Sequence, residues 1–402
     1  MTERLEPPGA ERSRAAGAGG RPLRIGIDVT AAVSQGGGIG RYTRELIRAL
    51  VRQDQANSYH FFSARFPAQL PVADPLPKAA NVSLHENWLS ERWLYRLWHR
   101  LRAPLPLQWF TGRLDLFHAP DFVLPPLAGR TPSLLTVHDL SFARYPDAFT
   151  PTLIRFLNRA VPRSIGRATH LLADSEATRS DLMALWRVPA DKITVLYSGV
   201  SKNFRPVTRP SELEAVRRRY GLPDGPYVLS VGTIQPRKGY QMLIRAFEPL
   251  SRALPHDLVI VGGMGWSYEP ILAEAAEKGL ADRVRFLGFV DDQDLPALYS
   301  QAALFAFPSL YEGFGLPILE AMACGAPVVC ANASSLPEVA GQAARLAPAG
   351  DQAAWSQAMS ELLTTPSLRA RLVAAGFRQA RQFSWKRTAQ QLLALYGRLV
   401  DA

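Results

Sequence analysis

From Leu23 onward, short apolar runs alternate with amphipathic stretches along nearly the whole chain. Leu23 to Thr30 (LRIGIDVT) reads as a buried strand, Ser34 to Gly40 (SQGGGIG) as a glycine-rich loop, and Arg41 to Gln53 as an amphipathic helix. Further strands are predicted from Tyr59 to Ser63, Leu114 to His118, Ser133 to Val137, His170 to Ala173 and Ile193 to Leu196, with helical patterns between several of them. Ser201 to Pro210 and Pro223 to Pro226 break this rhythm around one intervening helix, which marks a linker. It resumes at Tyr227 with YVLSVG, DLVIVGG, VRFLGFV, ALFAFP and APVVCA, each separated from the next by a helical pattern. Alternation of this kind predicts α/β architecture with two doubly wound parallel sheets, in domains spanning 23–205 and 206–383. A last helix is expected from about Ser384 to Val400.

A length of 402 residues exceeds what one core usually supports, which agrees with two domains. The apolar share of 47% and charged share of 20% are those of an ordinary globule. Residues 1–22 form a basic tail rich in Arg, Gly, Ala and Pro, without the apolar centre of a signal peptide, and no later run reaches the length of a membrane span. The expectation is a protein neither exported nor membrane-spanning. Cys324 and Cys330 lie in apolar sequence with no metal-type neighbours, as two buried thiols in a reducing cytosol would. A formal charge of +11 changes the picture more, since it favours an anionic partner: nucleic acid, an acidic lipid face or a phosphorylated substrate. No recognisable nucleic-acid module accompanies it.

One helical pattern stands apart. Between Trp88 and Arg102, Leu89, Trp93, Leu94, Leu97, Trp98 and Leu101 fall on one side of a 3.6-residue wheel, with Arg92, Arg96, His99 and Arg102 opposite. This suits a helix lying in a membrane surface, and equally one packed on the first sheet with its arginines solvated.

Candidate chemistry concentrates between Pro308 and Gly341. Gly313 and Gly315 let the backbone approach a ligand, and the helix start behind them favours an anion, with phosphate the natural guest. Glu312 sits in the loop and Glu320 a turn or more up the helix, with seven residues between them, so two roles are implied. Val231 to Gly239 (VGTIQPRKG) ends a strand and opens a helix, placing Arg237 and Lys238 at the carboxyl edge of the second sheet, where open α/β sheets bind ligands. In the first domain, FHAPDF and TVHDLSF end strands with His118 and with the pair His138–Asp139. His118 reads as a core histidine or a site residue. Asp174–Ser175 reads as a helix cap. No His, Cys or Asp-x-Asp cluster suggests a metal.

At Glu312-Gly-Phe-Gly-Leu-Pro-Ile-Leu-Glu320 and the block after it, the chain resembles retaining glycosyltransferase family 4, the GT-B enzymes, whose signature is two glutamates with this spacing. The resemblance implies two Rossmann-like domains facing a cleft, with the last helix (384–402) crossing back to the first. Gly37 and Gly38 then face the donor diphosphate, which Arg237 and Lys238 neutralise; Arg237 stands in for an arginine that many members carry where Thr233 sits. Glu320 holds the nucleotide ribose, Glu312 lies by the transferred sugar, and the N–H groups of Phe314, Gly315 and Leu316 bind sugar hydroxyls and phosphate. His138 contacts the sugar, with Asp139 as its orienting acid.

The motif variants GTIQPRKG and GGGIGRYTREL look like the mannosyltransferase-like branch. They imply transfer of mannose from GDP-mannose to a lipid-linked surface polysaccharide or glycolipid, with retained configuration, no metal and no cofactor. The implied location is cytoplasmic and peripheral on the inner face of the membrane, with an anionic lipid surface as a partner and nucleic acid excluded. Two alternatives stand beside this: the same chemistry with a UDP-sugar, and a non-catalytic partner that binds membrane or polysaccharide.

Overall fold

The computed structural model describes residues 21–66 and 74–401. Most of the tail predicted over 1–22, namely residues 1–20, lies outside them. Seven strands make the first sheet: β1 (Arg24–Asp28), β2 (Ser58–Ser63), β3 (Val82–Glu86), β4 (Leu116–Ala119), β5 (Ser133–Val137), β6 (His170–Ala173) and β7 (Ile193–Val195). They are all parallel, in the order β3-β2-β1-β4-β5-β6-β7. The second sheet, also parallel, has six: β8 (Tyr227–Val231), β9 (Asp257–Val261), β10 (Val284–Gly288), β11 (Leu304–Phe307), β12 (Val328–Ala331) and β13 (Ala344–Ala347), in the order β10-β9-β8-β11-β12-β13. Strand order reverses between β1 and β4 in one sheet and between β8 and β11 in the other. Crevices at the carboxyl ends of such strands are where ligands bind.

Seven helices matter below: α1 (Thr30–Ser34), α2 (Gly38–Gln53), α3 (Glu91–Tyr95), α4 (Glu176–Trp186), α5 (Pro210–Tyr220), α6 (Leu316–Ala323) and α7 (Trp385–Asp401). The first sheet is covered on both faces because neighbouring residues of a strand point opposite ways. Leu134 and Leu172 join Leu46, Leu50, Trp385, Leu392 and Tyr396 on one face, under α2 and α7. Leu135 and Leu171 join Leu94, Trp98, Phe117 and Leu182 on the other. Each large side chain so buried contributes roughly 2 kcal/mol. The second sheet has its own core, which also takes in Phe204, Val216 and Leu222 from the linker and α5.

Three expectations change. The glycine-rich segment predicted as loop from Ser34 is mostly helical: α1 ends at Ser34 and α2 begins within the glycines, at Gly38. Strands β3 and β13 are additions to the predicted set. The Trp88 to Arg102 segment is no single amphipathic helix, since α3 passes into a π-helical turn, Arg96–Arg100, in which the Leu101 N–H bonds the Arg96 carbonyl five residues back. One wide turn rotates the following side chains off the predicted face. Leu94 and Trp98 are buried, Trp93 and Leu101 are 54% and 69% exposed, and His99, expected on the polar side, packs against Tyr95 and Phe156.

Candidate active site

A cleft of roughly 660 Å³ opens between the carboxyl edges of the two sheets, and Gly37, Gly38, His138, Asp139, Arg237, Lys238, Glu312, Phe314, Gly315, Leu316 and Glu320 all line it. Strand ends explain most of this convergence: His138 follows β5, Asp174 follows β6, Gly232 follows β8 and the signature loop follows β11. Gly315, with φ of 112°, turns the chain into α6, a backbone state open to glycine at little cost. Behind the loop, the Glu312 N–H donates to Ser334 Oγ at 2.8 Å, and Ser335 Oγ donates to the carbonyls of Glu312 and Phe314 at 3.0 and 2.7 Å.

Glu312 is the centre of a largely buried charge cluster. Its Oε1 accepts from Lys238 Nζ at 2.5 Å and its Oε2 lies 3.4 Å from Arg237 Nη1, while Arg237 also donates to the Tyr311 carbonyl. Burial alone would raise the Glu312 carboxyl, but the charges of Lys238 and Arg237 outweigh it and hold the group at about 2. Lys238 is itself shifted down, by burial first and by the Arg237 charge, because two cations share one carboxylate. Within this trio two cations face one carboxylate, so Glu312 alone does not balance Lys238 and Arg237.

The orienting acid of His138 is Asp174 rather than Asp139. His138 Nδ1 lies 2.7 Å from Asp174 Oδ2 and Nε2 lies 2.7 Å from the Pro120 carbonyl. Asp139 turns away, its Oδ1 accepting from the Ser141 N–H and hydroxyl at 2.8 and 2.6 Å. Acceptor oxygens on both ring nitrogens favour the doubly protonated imidazolium of His138. Burial pulls its pKa down, but Asp174, Asp121 and the Pro120 carbonyl raise it to about 9. A group raised on folding stabilises fully below its ordinary pKa of 6.5, and that contribution is lost as pH rises through about 9. Melting temperature should accordingly fall between pH 7 and 9.5 in the wild type and change little in Asp174→Asn; equal slopes in both would remove the imidazolium.

His118 takes the core alternative: fully buried, it bonds Tyr396 Oη and Thr136 Oγ1 at 2.8 and 2.9 Å, and burial with the His138 charge pushes it to about 3. Ser175 caps α4 as expected, accepting from the Thr178 N–H at 3.0 Å. Both cysteines are buried free thiols. Among the described residues, no group of three or more His, Cys, Asp or Glu is disposed to hold a metal ion. Sequence reasoning missed Asp174, hidden by its reading as a cap, and Arg41, whose Nη1 reaches Glu320 Oε1 at 2.6 Å across the cleft.

A family profile described as Glycosyltransferase Family 4 matches residues 36–204, and one described as Glycosyl transferases group 1 matches residues 214–379. The O-antigen chain mannosyltransferase B of Escherichia coli is 35% identical over 369 residues, 89% of this chain and 95% of that protein. The chain belongs to glycosyltransferase family 4. Within the family it falls in the mannosyltransferase-like branch, being also 33% identical over 243 residues to the serotype-specific mannosyltransferase WbdA of Escherichia coli, across 59% of this chain and 29% of that protein. The GT-B fold recurs in the crystal structure of Anabaena HepE in complex with UDP and glucose, with a TM-score of 0.71 at 22% identity, over 93% of this chain and 99% of that one. Like other family members, then, the protein is a glycosyltransferase.

Proposed function

We propose that the protein transfers mannose from GDP-mannose, with retention and without a metal ion, to a lipid-linked saccharide of surface-polysaccharide assembly. The observation that carries this reading is similarity to an O-antigen mannosyltransferase along nearly the full length of both chains, together with a cleft in which Lys238 and Arg237 both face the single carboxylate of Glu312. Departure of the diphosphate builds negative charge on its oxygens as the anomeric carbon becomes oxocarbenium-like. Lys238 and Arg237, preorganised and dry, meet that charge without a divalent ion, and the α6 start at Gly315 adds N–H donors. Glu312, kept ionised by the same cations, faces the sugar on which positive charge develops. His138 lies at the cleft wall as a fixed cation. Glu320 takes the ribose hydroxyls, since an ionised carboxylate accepts both at once. The acceptor hydroxyl attacks from the face the diphosphate leaves, and the departing phosphate oxygen takes its proton.

A saturating guanine nucleotide should raise the melting temperature above that seen with uracil or adenine nucleotides, ligand at a hundred times Kd stabilising by about 2.7 kcal/mol. A clear preference for UDP would favour the UDP-sugar reading, to which the UDP complex of a protein with the same fold gives some weight.

Docking on an anionic membrane belongs to the same reading. Trp88, Trp93, Leu101 and Trp109 stand out at 54% to 77% exposure, and the Arg96 guanidinium lies 4.9 Å from the Trp93 ring centroid, an aromatic and cationic surface beside the first domain. Among the described residues no helix is long and apolar enough to cross a membrane. Each arginine near an anionic surface adds about 1 kcal/mol, so changing Arg92, Arg96 and Arg102 to Glu should lower sedimentation with phosphatidylserine vesicles at least about tenfold. Unchanged binding would return the segment to a packing role alone.

A further inference from the structure

The carboxylate proposed to hold ribose is already engaged. Glu320 Oε1 accepts from Arg41 Nη1 at 2.6 Å and Oε2 from Tyr299 Oη at 3.1 Å. The second terminal nitrogen of Arg41 holds Asp292, and its guanidinium lies 5.8 Å from the Phe204 ring centroid. Arg41 comes from the first turn of α2 in the first domain, whereas Glu320, Tyr299 and Asp292 belong to the second. One planar fork thus ties the domains together at the point where the donor's ribose is to be read.

Burial sets the terms of this contact. The Glu320 side chain is 3% exposed, and an ionised carboxylate so placed is costly unless donors satisfy it. A guanidinium does so when no ribose is present. Ribose hydroxyls do the same when they arrive, but they are neutral, so their arrival leaves the Arg41 charge without its buried partner. Asp292, at 45% exposure, holds that charge weakly because water competes for it. The same cleft holds Gly36, Gly37 and Gly38, one turn before Arg41, and Lys238 opposite. A flexible, weakly hydrated fork in this position has a dianionic diphosphate within the cleft to turn to.

We infer that Arg41 is an exchangeable donor-site cation, neutralising Glu320 and Asp292 across the cleft and passing to the diphosphate when ribose hydroxyls take over the Glu320 carboxylate. This rests on reading Glu320 as the ribose-binding acid. It gives Arg41 opposite effects on two halves of one ligand: it competes with the nucleoside and attracts the phosphates.

Calorimetry on the full chain separates the two halves, using guanosine and GDP, with uridine and UDP alongside. In Arg41→Ala, nucleoside should bind as tightly as in wild type or several-fold tighter, while nucleoside diphosphate binds at least about tenfold more weakly and with a shallower salt dependence. Arg41→Lys keeps the charge but cannot span both carboxylates, so its diphosphate affinity should stay within about threefold of wild type. It also decides the matter if the alanine variant fails to fold. Parallel losses for nucleoside and diphosphate in either variant would make Arg41 a fixed strut and overturn the inference, as would unchanged diphosphate binding in Arg41→Ala. Glu320→Gln tests the premise independently: if wild type binds the diphosphate but this variant keeps full nucleoside affinity, the ribose assignment itself is wrong.

Discussion

Replacing Gly313 with alanine should cut turnover by about a hundredfold while leaving most of the fold intact. A Cβ built at this position would lie 2.1 Å from the His138 carbonyl oxygen and 3.0 Å from Asp139 Cβ. The first-domain side is fixed: the His138 carbonyl accepts from Thr178 Oγ1 at 3.0 Å, and Asp139 accepts from the Ser141 N–H and hydroxyl at 2.8 and 2.6 Å. The clash is therefore relieved by moving the signature loop away from the first domain, which separates Glu312 from His138. A displacement near 1 Å at a catalytic centre costs on the order of a hundredfold. Steady-state rates at saturating donor, with Gly166→Ala as a control where nothing lies within 4 Å of the added methyl, measure it. Turnover within threefold of wild type would show that the reaction does not need the two domains this close.

Glu312→Gln is expected to have the second largest effect, on stability and rate together. The amide cannot balance Lys238 and Arg237, and removing one partner of a buried charge cluster typically costs about 3 kcal/mol. Turnover should fall at least about tenfold, about 1.4 kcal/mol, because the developing positive charge on the sugar loses its anion. GDP should stabilise the variant more than the wild type, since its phosphates replace the missing negative charge. Acid stability adds a check with a definite sign. A carboxyl held at about 2, below its ordinary 4.5, stabilises above 4.5 and loses that contribution as pH falls toward 2, and this limb should be absent in the variant. Full turnover with lost nucleotide affinity would exchange the roles of Glu312 and Glu320.

Elements with strong local patterns were legible in the chain, and so was the part of the site that one segment encodes. The apolar runs of β8, β9, β11 and β12 announce buried parallel strands, and Glu312 to Glu320 present their chemistry within one loop and one helix. What escaped depends on partners distant in sequence. Asp174 meets His138 from 36 residues away and Arg41 meets Glu320 from 279, so neither pairing leaves a local trace. Strand β3 is a half-exposed edge of five residues, without the continuous apolar run of a central strand. The π turn at Arg96–Arg100 has no signature separable from an ordinary helix.

The return of α7 to the first domain also fixes an order of events during synthesis. The Gln53 side-chain amide donates to the Lys386 carbonyl, 333 residues later, and Trp385, Leu392 and Tyr396 complete the core around Leu46. On the ribosome, the first half emerges early but cannot close one face of its sheet until the second half has been made. The second domain, whose core draws on residues from 204 to 380, can fold before that point. The first must wait with Leu46 and Leu50 uncovered, so pausing or truncation ahead of Trp385 should make the nascent chain depend on chaperones through its amino-terminal half.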